Sequence, residues 1–174
     1  DVEPQLVRFT DWAKRALEQN SADGDSSQVY LVCGVFAALA GLFKSGERHR
    51  LRGQVVSRVF EGVMGAIAGT SSTTQRKLSV KLAQRMGLTF LEPRNQQWRY
   101  KNKLASLESN LVQGEPDAEI TLPAADEDDE DFEVTEEVEE VIDVLLTHLK
   151  DTDTVVRWSA AKGIGRITAR LPAT

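Results

Sequence analysis

One cysteine and two histidines are all that 174 residues offer to sulfur or imidazole chemistry. A lone Cys33 excludes an intramolecular disulfide framework and fits a reducing compartment. It sits in an apolar run with nothing basic within a helical turn or two, so it reads as a buried, inert thiol. His49 and His148 lie far apart and cannot build a zinc site of close ligand spacing with a single Cys. No Ser sits in a GxSxG elbow. Long hydrophobic runs are also missing. The longest uncharged apolar stretch, Val29 to Phe43, has 15 residues. As a helix it would reach only ~22 Å against a ~30 Å bilayer core, which predicts a buried helix and no membrane insertion. No secretory leader is expected. The opening Asp1-Val2-Glu3-Pro4 lacks even an initiator Met, which predicts an excerpt of something longer. Strands are wanting too: only Leu88 to Leu91 looks extended, and one run makes no sheet.

What is present is charge, unevenly placed. The net charge of −6 hides 16 acids and no Lys or Arg between Leu104 and Leu149. The remainder holds 11 acids against all 21 bases, and Lys44 to Lys103 alone holds 13 bases and 3 acids. A basic body therefore carries an acidic insert, a pattern that bears on partners rather than on fold. Carboxylates inside the acidic run are too solvated to hold tuned pKa values, so no acid–base pair emerges. No enzyme, cofactor or metal site is expected.

Helical periodicity runs through most of the rest. Leu6, Phe9, Ala13, Ala16 and Leu17 mark a first helix over Pro4–Asn20. Gln28–Lys44 is apolar nearly all round, which predicts an inner helix of a layered structure. Leu51–Ala68 shows a seam at Val55, Val59, Val63 and Ile67. Thr70 to Thr73 supply N-cap candidates for a fourth helix with Leu78, Leu82 and Met86 in line, ending at a C′ Gly87. Pro93 to Tyr100 and Leu104 to Val112 are further helical candidates. Gly114 to Glu133 lacks a periodic face and contains six consecutive acids, Asp126 to Asp131, the mark of a disordered loop. Thr135 then caps a helix with Glu136 and Glu137 in its first turn and an apolar face at Val138, Val141, Ile142, Leu145, Leu146 and Leu149. Asp153 is the natural N-cap of a last helix over Thr154–Arg170.

That last helix contains "GIGRIT", an apparent fragment of a phosphate-binding GxGxxG. Such a loop needs a strand before it and a helix opening from it. Here Thr168 stands where the third glycine belongs, and the motif falls in mid-helix, where amides are already bonded four residues back. Packing is the better reading. Val156, Ala160, Ile164, Ile167 and Leu171 form a stripe, and Gly163 and Gly165 with the alanines beside it let a neighbouring helix come close. Arg157 is placed to pair with Asp151 or Asp153.

The unit "VEEVIDVLLTHLKDTDTVVRWSAAKGIGRITARLP" resembles a HEAT repeat: an apolar first helix, a turn with Asp151 and Asp153, the Val156-Arg157 pair, then a helix of small residues (Ala160, Gly163, Gly165). One such repeat implies others, since each has only its neighbours to pack on. The pairs Pro4–Lys44 and Leu51–Gly87 have the length of degenerate ~40-residue repeats. The expected architecture is an all-α HEAT/armadillo-like solenoid: degenerate repeats over 1–112, an acidic disordered loop over 113–134 and a HEAT helix pair over 135–174.

Two stretches, "RKLSVKLAQRMGLTFLEPRNQQWRY" (Arg76 to Tyr100) and "DTVVRWSAAKGIGRITARLP", are similar to the tubulin folding cofactor D family. The likeness covers about Arg76 to Pro172; upstream only "GVFAALAGLFKSG" and the helical pattern follow it. The resemblance implies a segment of a cytosolic, cytoskeleton-associated, non-enzymatic chaperone. Such a chaperone captures β-tubulin and joins or releases the α/β-tubulin dimer with cofactors E and C and a small Arf-like GTPase. The family's effect on that GTPase's hydrolysis falls on no residue here. Nucleic acid is not an expected partner.

The basic side offers the binding candidates. Arg76, Lys77, Lys81 and Arg85 fall on one side of the fourth helix, and Arg94 and Arg99 flank Trp98. These residues fit the acidic surface of tubulin; bases among aromatics equally suit RNA, as in a HEAT adaptor of another class, transport or RNA-associated. A plain solvated face with Trp98 wedged between repeats is the competing reading. Arg48, Arg50 and Arg52 around His49 form a smaller basic turn.

Overall fold

The computed structural model describes residues 3–20, 26–93 and 134–171. Among these residues every regular element is helical. Helix α1 is Glu3–Asn20, α2 is Ser26–Ser45, α3 is Ser57–Ala68, α4 is Thr73–Phe90, α5 is Glu136–His148 and α6 is Thr154–Thr168. A single turn, Arg48–Arg50, and a π-helical stretch, Leu51–Val56, lead into α3.

Helix α4 is the hub. It packs on α2 along one side and on α6 and α5 along the other, while α1 lies against α3 and α2. Its sequence accounts for its start: the Ser72 hydroxyl accepts from the Gln75 backbone amide at 3.1 Å and the Ser72 backbone amide donates to Gln75 Oε1, also at 3.1 Å. This reciprocal cap satisfies amides that a helix start otherwise leaves open. The helix runs on past the expected stop. Gly87 is no C′ residue and Leu88 to Phe90 is not extended; all are helical. The reason lies in the neighbours. Gly87 is buried, and a Cβ placed on it would stand 2.9 Å from Val141 Cγ1 and 3.3 Å from Ile167 Cδ1. Glycine is there so that α5 and α6 can approach α4.

The α5–α6 pair follows the expected pattern with one change at its start. Val138, Val141 and Leu145 are fully buried; Ile142 and Leu149 are half-buried and Leu146 is exposed. Thr135 is at the N-cap, but its hydroxyl makes no cap bond and is left without a partner among the described residues. The three glutamates of the first turn (Glu136, Glu137, Glu139) bring negative charge to the positive end of the helix instead. In α6 the Asp153 carboxylate accepts from the amides of Val155 and Val156 at 2.8 and 3.3 Å. Val156, Ala160, Gly163 and Ile167 are the buried stripe. Gly165 is different: a Cβ there meets nothing within 4 Å. Its expected role in close packing therefore belongs to Gly163 alone. Gly165→Ala is expected to raise stability by about 0.5–1 kcal/mol through helix propensity, seen as a higher urea midpoint.

Helix α2 departs from expectation. It spans 20 residues, about 30 Å at the usual rise, and is by length and composition long and apolar enough to cross a membrane. Val35, Phe36 and Leu39 are nonetheless core residues. The face opposite is not covered by the other described helices: Tyr30 is 77% and Leu31 40% exposed. An all-round apolar sequence thus covers one buried face and one open face. Cys33 is half-buried, and burial pushes its thiol pKa up, away from the reactive thiolate. The acidic loop expected over 113–134, and the helices expected at Pro93 to Tyr100 and Leu104 to Val112, lie almost wholly outside the described residues.

Candidate functional site

Over the exposed face of α4, between the end of α2 and α6, runs a groove of about 610 Å³. That is within the ~300–1,000 Å³ of ligand clefts. Helix α4 supplies Lys77, Lys81 and Arg85 at four-residue steps, with Gln84 beneath them. Helix α6 supplies a second stripe of the same period, Trp158, Lys162 and Arg166, continued by Arg170. Lys44 and Arg48 close the end nearest α2. Among the described residues eight bases line the groove and no carboxylate does.

The bases divide into two kinds. Three of the four arginines, Arg48, Arg85 and Arg170, are anchored by backbone carbonyls. Arg48 Nε donates to the Thr89 carbonyl at 3.0 Å, and Arg170 Nη1 donates to Leu88 at 2.9 Å and, more weakly, to Leu91 at 3.4 Å. Arg85 donates to the Ala40 carbonyl. Two guanidiniums thus cover the last carbonyls of α4, where the helix dipole is negative. Burial lowers the pKa of Arg48, Arg85 and Arg170. Arg170 lowers Arg48 further and Arg166 lowers both others, while Glu92 acts on Arg48 in the opposite sense. All remain charged, so positive charge is held together against its own repulsion. The lysines (44, 77, 81 and 162) are exposed and mobile in reach. Lys162 Nζ sits 4.7 Å from the Trp158 ring centroid, a cation–π contact over a tryptophan 63% exposed.

Of the residues singled out in sequence, Lys77, Lys81 and Arg85 come together in this groove. Arg76, one step round the helix, turns the other way and forms an ion pair with Asp151, Nε to Oδ2 at 2.8 Å. Arg94, Trp98 and Arg99 lie outside the described residues. Arg157 does not reach a carboxylate: it donates to the carbonyls of Asp151 and Thr152 at 2.8 and 2.9 Å. The basic turn is split. Arg48 enters the groove, Arg50 pairs with Glu47 at 2.9 Å, and Arg52 and His49 line a second hollow beside Glu61, Glu136, Glu137 and Glu140. Mixed charge there produces no single-signed field. The stripe on α6 was missed because its small residues drew the eye. Its signal was in the sequence all along: Trp158, Lys162, Arg166 and Arg170 recur every four residues.

The family described as tubulin-specific chaperone D-like, ARM repeats, matches residues 74–174. The match takes in α4 from its second residue, α5, α6 and every groove residue but Phe43, Lys44, Gly46 and Arg48. The chain belongs to this family. The tubulin-folding cofactor D of Schizosaccharomyces pombe is 35% identical over 106 residues, 61% of this chain and 8% of its own length. The tubulin-specific chaperone D of Dictyostelium discoideum is 30% identical over 155 residues, 81% of this chain and 10% of its own. The chain thus spans about a tenth or less of the relatives it matches. No solved structure matches it. As a stretch of tubulin-specific chaperone D-like ARM repeats, its helices form an all-α solenoid of the helical-repeat class, in which each hairpin buries its apolar face on the next.

Proposed function

We propose that the chain is part of the helical-repeat body of a tubulin-folding chaperone, one that captures β-tubulin and helps assemble or dissociate the α/β-tubulin dimer. In that reading it works in the cytoplasm, near the cytoskeleton, alongside tubulin folding cofactors E and C and a small Arf-like GTPase whose hydrolysis the whole protein influences. The family match over residues 74–174 carries the reading. The action is binding without bond chemistry: a repeat surface stabilises one state of its client by preferring it. Among the described residues no group of His, Cys, Asp and Glu is placed to hold a metal.

The test is co-precipitation of tubulin by the full-length protein, with and without residues 134–171. Capture that falls on removal of the α5–α6 hairpin, with the remainder still folded by circular dichroism, is the expected result. Undiminished capture would move the client surface elsewhere. A nucleotide-hydrolysis assay on the full-length protein without its partners should read background. A second reading, an adaptor scaffold of a transport or RNA-associated class, draws on the all-basic groove. Salt-sensitive retention of RNA with no tubulin bound would favour it.

A further inference from the structure

We infer that the groove between α4 and α6 is a docking site for a carboxylate-rich, extended segment of the client protein. The inference rests on the chaperone reading and adds to it the chemistry of the contact.

Three observations converge. First, among the described residues eight cations line the groove and no acid does. None of them is in an ion pair among the described residues. Assembling like charges in a partly desolvated cleft is unfavourable until an anion enters, and such a cleft focuses its field on one. Second, Gln84 is only 5% exposed, lines the groove, and its amide nitrogen has no hydrogen-bond partner among the described residues. A buried donor of this kind calls for an acceptor. Third, the arginine forks are already positioned by the Leu88, Thr89 and Ala40 carbonyls. They therefore lose little freedom on meeting a carboxylate, a geometry that the guanidinium fits.

The same features weigh against nucleic acid. Single-stranded chains need open aromatic faces on which successive bases stack. Among the described residues Trp158 is the only aromatic lining the groove apart from the buried Phe43, and Lys162 already occupies a face of its ring. A polypeptide carrying closely spaced acids needs no stacking. It needs cations on both walls, and the two stripes at four-residue steps on α4 and α6 provide them.

The experiment uses the full-length protein and a fluorescein-labelled octaglutamate peptide, read by anisotropy across a salt series. Variant Lys81→Glu/Lys162→Glu reverses one exposed charge on each wall and disturbs no anchored arginine; Arg8→Glu, on α1, is the control. Expected is saturable binding that weakens with salt, at least tenfold loss in the groove variant and little change in the control. Equal binding by both variants, or none by the wild type, would overturn the inference. So would tight binding of a labelled oligouridylate in place of the peptide. If binding appears only once residues 126–133 are replaced by Ser and Gly, the occupant is the chain's own acidic run and an external segment is ruled out. Tubulin co-precipitation with the same proteins separates the two claims. Capture without groove-dependent peptide binding sinks this inference and leaves the chaperone reading standing; groove-dependent peptide binding without capture does the reverse.

Discussion

Replacing Gly87 with valine is expected to destabilise the chain by about 3 kcal/mol, at the upper end of what overpacking costs. The added Cβ alone would lie 2.9 Å from Val141 Cγ1 and 3.4 Å from Val141 Cβ. Val141 cannot swing aside, because a β-branched side chain has few rotamers on a helix and this one is fully buried. Ile167 Cδ1, 3.3 Å off, is the more flexible neighbour but is equally buried. Either α5 moves off α4 or the core takes up strain. Alanine at the same place gains up to ~1 kcal/mol in helix propensity and still meets Val141, so a net loss of about 1 kcal/mol is expected. Gly163 is the internal comparison. Its Cβ would meet Leu145 Cδ1 and Cδ2, both at 3.1 Å, the far ends of a side chain as buried as Val141 but not β-branched, which need give only a few tenths of an ångström against the gain in helix propensity. Gly163→Ala should therefore be near neutral. Urea unfolding of the three variants orders them: Gly87→Val lowest, then Gly87→Ala, then Gly163→Ala. A Gly87→Val midpoint equal to wild type would mean that α4 and α5 do not pack as described.

Gly87 also marks a limit of what the sequence shows. A glycine followed within a few residues by a proline reads as a helix end, and local rules offer nothing against it. Only the arrival of α5 and α6, encoded some fifty to eighty residues later, makes the glycine a contact. Where local chemistry decides, the sequence was legible. The Asp153 cap, the capped start of α4 and the buried Val138–Val141–Leu145 face all follow from spacing and hydrogen-bonding capacity. Where a helix carries two apolar faces, as α2 does, periodicity gives no preference for the one that the other described helices cover.

The groove was half legible for a related reason. Lys77, Lys81 and Arg85 share one side of α4 by arithmetic alone. Adding α6 requires knowing that the hairpin lies against α4, a pairing between residues roughly eighty apart in the chain. Arg48, Arg85 and Arg170 needed more still. Each is spent on a backbone carbonyl of another segment, and carbonyls leave no trace in a sequence. The same holds for Arg76, whose neighbours Lys77 and Lys81 face the groove while it faces Asp151.

That pairing makes Asp151→Ala the second large effect expected, a loss of about 2–3 kcal/mol from charge-assisted hydrogen bonds. The carboxylate is the fixed point of the turn between α5 and α6. Its Oδ1 accepts from the Asp153 amide at 2.8 Å, and its Oδ2 accepts from Arg76 Nε at 2.8 Å. The aspartate side chain is 8% and the arginine 22% exposed, so the pair is screened far less than a surface one. Removing Asp151 leaves a half-buried guanidinium short of its carboxylate, although Arg76 keeps its bond to the Ser71 carbonyl. Arg76→Ala should therefore cost less, and the double variant should cost less than the sum. The Asp153 amide, first, and then Arg76 hold the Asp151 pKa below the ordinary carboxylate value. A carboxyl depressed on folding contributes stability that is complete above its unfolded pKa, near ~3.9. The contribution fades as pH falls through the lower folded value. The gap between wild type and Asp151→Ala should accordingly be level from pH 7 down to about 5 and then close progressively in acid. Thermal unfolding of both proteins across that range measures it. A gap unchanged well below pH 3 would show that Asp151 acts through something other than its charge, and that the tie between α4 and the α5–α6 turn is not an ion pair.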